Sequence, residues 1–203
     1  MEGSLLFGFQ ILVVLFSIVI HEVSHGLMAY SMGDMTAKDA GRLTLNPLPH
    51  LDMFGSVLLP LLTYSLGGFI FGYAKPVPYN PLYLSDRKYG AAKVGFAGPA
   101  SNIIIALIFG MALRFMPFVL QATLLPELFS FIVLINLVLA IFNLLPVPPL
   151  DGHWLLLTFL PERFYAFKMF YLRYGLLLFI LVLIFVLPLI FPLVFRLFRL
   201  IVG

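Results

Sequence analysis

The sequence predicts an all-α integral membrane protein with about four transmembrane helices, one re-entrant or interfacial hydrophobic element and a short β segment. Of its 203 residues, 62% are hydrophobic and only 10% are charged, whereas a soluble globular domain carries about 25% charged residues. So few charges cannot cover a water-facing surface, and such high hydrophobicity excludes a disordered chain. The net charge of +3 and the lack of a basic domain predict no nucleic-acid partner. The chain contains no cysteine, which excludes disulfides, thiolate zinc sites and a cysteine nucleophile.

Charge-free windows locate the hydrophobic elements, and each is close to the ~20 residues that cross a hydrocarbon core. They are residues 3–21, 53–74, 94–113, 128–150 and 174–195. The first window has no basic flank, so we expect a retained span and not a cleaved signal peptide. No hydrophilic linker is long enough to hold a second domain. We therefore expect one membrane-embedded domain over residues 1–203, with a core over 5–155, a C-terminal span over 172–195 and an interfacial tail over 196–203.

The first window runs directly into three ionisable residues, His21, Glu22 and His25. Ionisable side chains within a membrane helix are expensive and point to function. His21 and His25 are four residues apart, so they project from one helical face and can bind one metal ion. Glu22 lies beside them, where it can accept a proton from water at the metal. Zinc suits histidine and carboxylate ligands, and the pattern predicts one zinc ion per chain.

A catalytic zinc site usually has three protein ligands and one open position. The third ligand must come from elsewhere in the chain, and Asp151 is the best placed, because it follows a proline-rich stretch that ends a helix. A solvated loop aspartate is the alternative. The full set of candidates is His50, His153, Asp52, Asp151, Glu127 and Glu162.

Two asparagines lie near the ends of apolar windows, Asn102 after Gly98-Pro99 and Asn143 at the end of the fourth window. A buried amide needs hydrogen-bond partners. Either asparagine can serve the site or tie two helices together.

Together, three motifs resemble the site-2 protease family of intramembrane zinc metalloproteases. They are His21-Glu22-x-x-His25, Gly98-Pro99-x-x-Asn102 and Asn143-x-x-Pro146-x-Pro148-x-Leu150-Asp151-Gly152, in the family's order. The resemblance covers residues 5–155, in a compact form with no room for a PDZ domain or a CBS pair. It implies His21, His25 and Asp151 as zinc ligands and Glu22 as the catalytic base. It also implies that Asn102 and Asn143 hold the substrate backbone or the developing oxyanion.

A weaker part of the resemblance is Asn46-Pro47-x-x-His50-x-Asp52. It makes His50 a candidate for lining the site, with a plain loop histidine as the equal alternative. The implied partners are the lipid bilayer and a substrate that is a single-pass transmembrane protein or a remnant peptide. Residues 41–46 alternate polar and apolar side chains, which predicts the short β segment. This strand could pair with an unwound substrate or be an ordinary loop strand.

The three motifs also constrain the topology. They must meet at one zinc, so the chain from Tyr30 to Gly98 has to start and finish on one side of the membrane. It holds one apolar window, 53–74, and the basic return segment 75–93 cannot span. We therefore expect 53–74 to be re-entrant or interfacial, although its length alone would favour an ordinary span.

Basic residues indicate the orientation. The active side carries Lys38, Arg42, Lys75, Arg87, Lys88, Lys93, Arg163, Lys168 and Arg173, and the far side carries Arg114, Arg196 and Arg199. The positive-inside rule then places the active site toward the cytoplasm, and the resemblance to the compact bacterial branch of the family implies a prokaryotic cell membrane. Two other classes of function remain as alternatives, a metal transporter or channel and a catalytically inactive scaffold for client helices.

Overall fold

The described part of the chain is helical. The computed structural model describes residues 2–59, 61–62, 65 and 74–203. Its α-helices are α1 (Glu2–Ser31), α2 (Thr36–Asp39), α3 (Gly90–Arg114), α4 (Phe118–Gln121), α5 (Leu125–Asn143), α6 (Gly152–Phe159), α7 (Tyr165–Arg173), α8 (Gly175–Phe185) and α9 (Leu187–Val202). Single turns of 3-10 helix lie at Leu48–His50, Pro81–Tyr83 and Glu162–Phe164, and a short π-helix lies at Met53–Leu58.

Three of these helices are long and apolar enough to cross a membrane, within Leu5–Ser31, Gly90–Arg114 and Leu125–Asn143. The number rises to four if Glu162–Arg173 and Gly175–Phe185, which meet at 71°, form one broken span. Large apolar side chains remain exposed on the first two spans and on the broken pair, for example Ile11, Ile108 and Ile184, whereas those of Leu125–Asn143 are buried or half-buried. An apolar exterior of this kind matches a lipid surrounding, so the all-α membrane class is supported.

Helix α3 lies at the centre of the bundle, because α1, α5, α6 and α9 all pack against it. Small residues line its contact surfaces, including Gly95, Gly98 and Gly110, which lets neighbouring helices approach closely. Farther along, Ala106 packs in a buried cluster with Val133 of α5 and Val194 of α9. The result is a bundle in which α1 and α5 flank α3.

The C-terminal region, over which we expected a span at 172–195 and an interfacial tail at 196–203, contains two helices. The chain is divided into α8 and α9, with breaks at Tyr174 and Val186. Pro188 in the first turn of α9 accounts for the second break, because its ring excludes a continuous helix through the residues before it. The predicted interfacial tail, 196–203, continues α9, which packs on α3 and α5.

The predicted β segment is wrong for the described residues: 41–46 form turns and bends, and no strand occurs in the described ranges. Local hydrogen bonds explain the difference. The carbonyl of Thr44 lies 2.9 Å from Nε2 of His50, and the hydroxyl of Thr44 accepts the backbone N–H of Asn46. These bonds occupy backbone groups that a strand ladder would use.

The predicted re-entrant window, 53–74, lies largely outside the described residues, but its flanks are placed. The backbone N–H of Ser85 donates to the carbonyl of Met32 at 2.8 Å, and the N–H of Asn80 donates to Asp34 at 2.6 Å. The chain therefore returns to the end of α1 from which it left. A segment that returns in this way crosses the membrane an even number of times or not at all.

Cysteine labelling tests this return. The chain has no cysteine, and Met35 and Arg87 are exposed on the two flanks. Single cysteines at these two positions should react with an impermeant reagent from the same side of sealed vesicles. A cysteine at Val119, which is exposed beyond the other end of α3, should react from the opposite side. Reaction of Met35→Cys and Arg87→Cys from different sides would contradict the topology.

Asp34 is fully buried, and its hydrogen bond with the Asn80 N–H holds the returning chain against the end of α1. Burial by itself would raise the pKa of Asp34, but hydrogen bonds from Thr36 and from the Asn80 N–H outweigh it and lower that pKa below its ordinary value. Because the folded pKa is lowered, the stabilisation is present above the unfolded pKa and is lost as the pH falls through the folded pKa.

We predict that Asp34→Asn lowers the free energy of unfolding at pH 7 by about 1–3 kcal/mol, since its amide group meets backbone N–H donors. The difference between wild type and variant should shrink below about pH 4. Thermal unfolding in detergent at both pH values measures it. A difference that stays constant down to pH 3 would show that the charge of Asp34 has no role.

Candidate metal centre

The two histidines of the first motif lie on one face of α1, near the middle of the bundle. Helix α1 is continuous over 30 residues, so the i, i+4 spacing places His21 and His25 one turn apart. Their Nε2 atoms are 3.0 Å apart, and their rings meet edge to face at 4.7 Å between centroids. Both side chains are buried, which places two polar rings inside an apolar helix pair.

Asp151 meets both rings from a separate part of the chain. Its Oδ2 atom lies 3.0 Å from Nε2 of His21 and 3.3 Å from Nε2 of His25. The proline-rich stretch after α5 brings it there, and the hydroxyl of Tyr171 donates to the carbonyl of Pro146 to hold this stretch. Burial by itself would raise the pKa of Asp151, but its contacts with the two rings outweigh burial and lower that pKa to about 2. The carboxyl is therefore ionised at neutral pH.

The three ligand atoms fit a zinc ion. They form a triangle with sides of 3.0, 3.0 and 3.3 Å. Tetrahedral zinc with bonds of about 2.0–2.2 Å places its ligand atoms about 3.3–3.6 Å apart. Two imidazoles and one carboxylate also match the ligand set of a catalytic zinc. The first motif brings three possible ligand atoms together: one from each of His21, Glu22 and His25, all within 4.8 Å of one another.

The other ring nitrogens have partners that leave Nε2 available. Nδ1 of His21 lies 2.6 Å from Oδ1 of Asn102, and Nδ1 of His25 lies 2.7 Å from the carbonyl of Val94. A carbonyl only accepts a hydrogen bond, so Nδ1 of His25 carries a proton and Nε2 is the nitrogen left to bind a metal. Such second hydrogen bonds orient metal-ligating histidines.

Gly98 of α3 lies directly against the two rings. A Cβ at this position would lie 2.6 Å from Nε2 of His21 and closer still to Nε2 of His25. Because Gly98 has no side chain, the ligand atoms of the two rings can meet in the space beside it. Gly152 allows a similar close approach after Asp151, because a Cβ there would collide with the carbonyl oxygen of Leu144.

Glu22 lies in the wall of a cavity of about 170 Å³, together with His25, Tyr79, Asp151 and Trp154. Its Oε2 atom accepts the backbone N–H of Val77 at 2.8 Å. Pro76 and Pro78 flank Val77 and have no N–H, so among these three residues only Val77 can donate this bond. The carboxylate is thus fixed beside the metal ligands.

Residues 74–79, the crossing segment, pass over α1 to reach Glu22. Nη2 of the buried Arg42 donates to the carbonyl of Lys75 at 2.6 Å. The N–H of Lys75 in turn donates to the carbonyl of His50 at 2.9 Å. Gly26 leaves room for the segment, since a Cβ there would lie 2.8 Å from Cγ1 of Val77. Sequence reasoning missed Arg42 and Val77 as parts of the site, although the Pro-Val-Pro pattern marks a single available N–H.

Two aromatic side chains complete the cavity wall. Tyr79 and Trp154 meet edge to face, with ring centroids 6.2 Å apart. The hydroxyl of Tyr79 is buried and has no hydrogen-bond partner in the described part of the chain. Burial, with the nearby charge of Asp151, raises the pKa of Tyr79. Its hydroxyl therefore keeps its proton at neutral pH.

The remaining residues that the sequence singled out lie apart from the triangle. His50 is fully buried, but its ring nitrogen lies against the carbonyl of Thr44 and it is not in the cavity wall. His153 lies against the carbonyl of Leu150 and beside Trp154. Asn143 donates to the carbonyl of Leu139 within α5. Asn102 is fully buried at His21, so its side chain faces a metal-ligand candidate and not the cavity.

Comparisons with known proteins agree with these motifs. Residues 118–187 match the model of peptidase family M50. The chain is 36% identical over 183 residues to YwhC of Bacillus subtilis, named as a candidate zinc metalloprotease, with 87% of this chain and 80% of YwhC covered. It is 33% identical over 153 residues to Rip2 of Mycolicibacterium smegmatis, which bears the same kind of name, with 72% of this chain and 56% of Rip2 covered. No solved structure matches the chain significantly.

We predict that Gly98→Ala weakens zinc binding by about tenfold or more, because the added methyl group displaces the two imidazoles. The same overpacking should lower the free energy of unfolding by about 1–3 kcal/mol. Zinc affinity, measured against a chelator of known affinity, gives the answer. Gly8→Ala is the matched control, since a Cβ at Gly8 meets nothing within 4 Å. Unchanged zinc affinity in Gly98→Ala would contradict the placement of α3 at the metal.

Proposed function

This chain belongs to peptidase family M50, the site-2 proteases, which are zinc metalloproteases, and from that premise we propose that it hydrolyses a peptide bond within or next to a transmembrane segment of its substrate. The triangle of His21, His25 and Asp151, with Glu22 fixed beside it, is the observation that carries this proposal. Its position supports cleavage at membrane depth, because α1 continues as an apolar helix on both sides of the two histidines.

In this proposal His21, His25 and Asp151 hold one zinc ion per chain. Zinc held there supplies Lewis acidity, which lowers the pKa of a water molecule toward neutrality and polarises the scissile carbonyl. Glu22 is the general base: Oε2 is engaged by Val77, and Oε1 accepts the proton from the attacking water. Glu22 then returns the proton to the leaving amine. The buried position of the site keeps other water away from the reacting groups.

The asparagines of the second and third motifs have different surroundings, and we assign them different roles. Asn102 acts through His21, because its Oδ1 atom lies at Nδ1 of that ring. Asn143 keeps the role of holding the substrate backbone or the oxyanion: one hydrogen of its Nδ2 group goes to the carbonyl of Leu139 within its own helix, and the second N–H can donate to an oxyanion while Oδ1 can accept from a substrate N–H. An oxyanion donor typically contributes about 10²–10³ in rate.

The substrate is a single-pass membrane protein, or the remnant peptide of one, that reaches the site from the lipid. A transmembrane helix hides its peptide bonds in its own hydrogen bonds, so it has to unwind before Glu22 and the metal can act on it. The excess of lysine and arginine on the side of the site supports a cytoplasmic orientation, and the bacterial relatives support a prokaryotic cell membrane. The two flanks of the window 53–74 meet at the end of α1, which supports a chain path that enters and leaves this window on one side of the membrane.

We predict that Glu22→Gln keeps the zinc but lowers cleavage by about 10²–10⁴, the usual contribution of general acid–base catalysis. The measurement compares new peptide termini in the membrane proteome of cells that produce wild type or variant, together with the zinc content of the purified proteins. Termini within transmembrane segments should appear with wild type and disappear with Glu22→Gln.

His21→Ala is the matched control, because it should lose both the zinc and the cleavage. If Glu22→Gln retains zinc and still produces the same termini, Glu22 is not the base. If wild type produces no new termini while it transports zinc across vesicles, a transporter replaces the protease. If wild type produces no new termini and transports no zinc, the result would favour the scaffold.

A further inference from the structure

Asn136 of α5 and Ser17 of α1 belong to none of the three motifs. Hydrogen bonds nevertheless connect them, through Asn102, to the metal-ligand candidate His21. We propose that Asn136 and Ser17 are positioning residues for the metal centre: they orient Asn102, and through it they fix His21 with the lone pair of Nε2 directed at the zinc. This inference rests on the proposed role of His21 as a zinc ligand.

A continuous chain of hydrogen bonds connects the four residues across three helices. Nδ1 of His21 lies 2.6 Å from Oδ1 of Asn102. Nδ2 of Asn102 donates to Oδ1 of Asn136 at 2.8 Å, and Nδ2 of Asn136 donates to Oγ of Ser17 at 3.0 Å. Asn102 and Asn136 are fully buried, and Ser17 is 4% exposed. The chain is therefore shielded from the water that could otherwise replace its partners.

Two backbone carbonyls fix the direction of every bond in this chain. Nδ2 of Asn102 also donates to the carbonyl of Ser17 at 3.3 Å, and Nδ2 of Asn136 also donates to the carbonyl of Ile132 at 2.9 Å. A carbonyl oxygen only accepts hydrogen bonds, so neither amide can flip without placing two oxygens against each other. Each asparagine is thus held in one orientation.

The fixed amides determine the protonation of the ring. With its Nδ2 group committed to Asn136 and Ser17, Asn102 presents only its Oδ1 atom to His21. Nδ1 of His21 must then carry a proton to donate, so Nε2 is the ring nitrogen left to bind a metal. Nε2 is the atom that lies at Asp151 and His25 in the triangle. The chain of hydrogen bonds therefore holds the ring in the orientation and tautomer that a zinc-bound His21 requires.

Zinc affinity of the purified full-length chain tests the proposal. Asn136→Leu replaces the amide by an apolar group of similar size, which frees Asn102 to rotate. We expect zinc binding, measured by competition with a chromogenic chelator, to weaken by about 10–100-fold, as for other partners of metal-ligating histidines. Ser17→Ala is a second variant that removes only one hydrogen bond. Its loss of zinc affinity should be smaller, because Asn102 and Asn136 still bond to each other and to the two carbonyls.

Leu137→Ala is the matched control. Leu137 is the next residue of α5 and is buried in the cluster with Ala106 and Val194, away from the chain of asparagines. This variant should unfold at a lower temperature and bind zinc with wild-type affinity. If Leu137→Ala weakens zinc binding as much as Asn136→Leu does, loss of packing explains the effect and the proposal is wrong.

A double-mutant cycle shows whether Asn136 acts through Asn102. Asn102→Leu should weaken zinc binding by about 10–100-fold, and adding Asn136→Leu to it should weaken binding no further. Additive losses of zinc affinity would overturn the proposed route, and so would wild-type affinity in Asn136→Leu.

His21→Ala separates a failure of the positioning chain from a failure of the metal site itself. If the His21→Ala variant retains wild-type zinc affinity, the zinc ligands are misassigned. If it abolishes binding while Asn136→Leu has no effect, only the positioning chain fails.

Discussion

The need to pair every polar atom of two imidazoles inside an apolar bundle is the constraint on which the rest of the structure depends. Each ring has two nitrogens, and both rings are buried, so each nitrogen needs a partner from the protein or from a bound ion. One side of each ring therefore faces a hydrogen-bond acceptor, Asn102 or the carbonyl of Val94, and the other side faces the shared ligand position. Helix α3 supplies both acceptors, which explains why it lies at the centre of the bundle.

Close approach is the second requirement, and glycines meet it where helices cross at the site. Gly98 leaves space for the two rings, Gly26 leaves space for the crossing segment, and Gly152 lets the chain turn tightly after Asp151. The crossing segment then delivers a single backbone N–H to Glu22. Because Arg42 and His50 bond the backbone of Lys75, two residues outside the cavity wall determine where the base is held.

Hydrophobic windows and the i, i+4 histidine pair were readable from the sequence, because both follow from the period of a helix. The meeting of Asp151 with the histidines depends on tertiary packing, so the proline-rich stretch favoured Asp151 among several candidate ligands but left a solvated loop aspartate open, and the family resemblance decided for the ligand. The strand at 41–46 failed because hydrogen bonds from Asn46 and His50 compete with a ladder. The sequence alone did not indicate a role for Asn136, because an asparagine in an apolar run belongs to no recognisable motif. Its role depends on hydrogen-bond partners that lie on other helices.

X-ray absorption at the zinc edge of the purified wild-type chain tests the central claim most directly, because it counts ligands without needing a substrate. The account predicts one zinc per chain with a shell of only nitrogen and oxygen atoms at about 2.0–2.1 Å. The scattering should contain two imidazoles, and Asp151→Ala should lose one oxygen while both imidazoles remain. A shell with one imidazole, with three imidazoles or with six oxygens at longer distance would contradict the assignment of His21, His25 and Asp151.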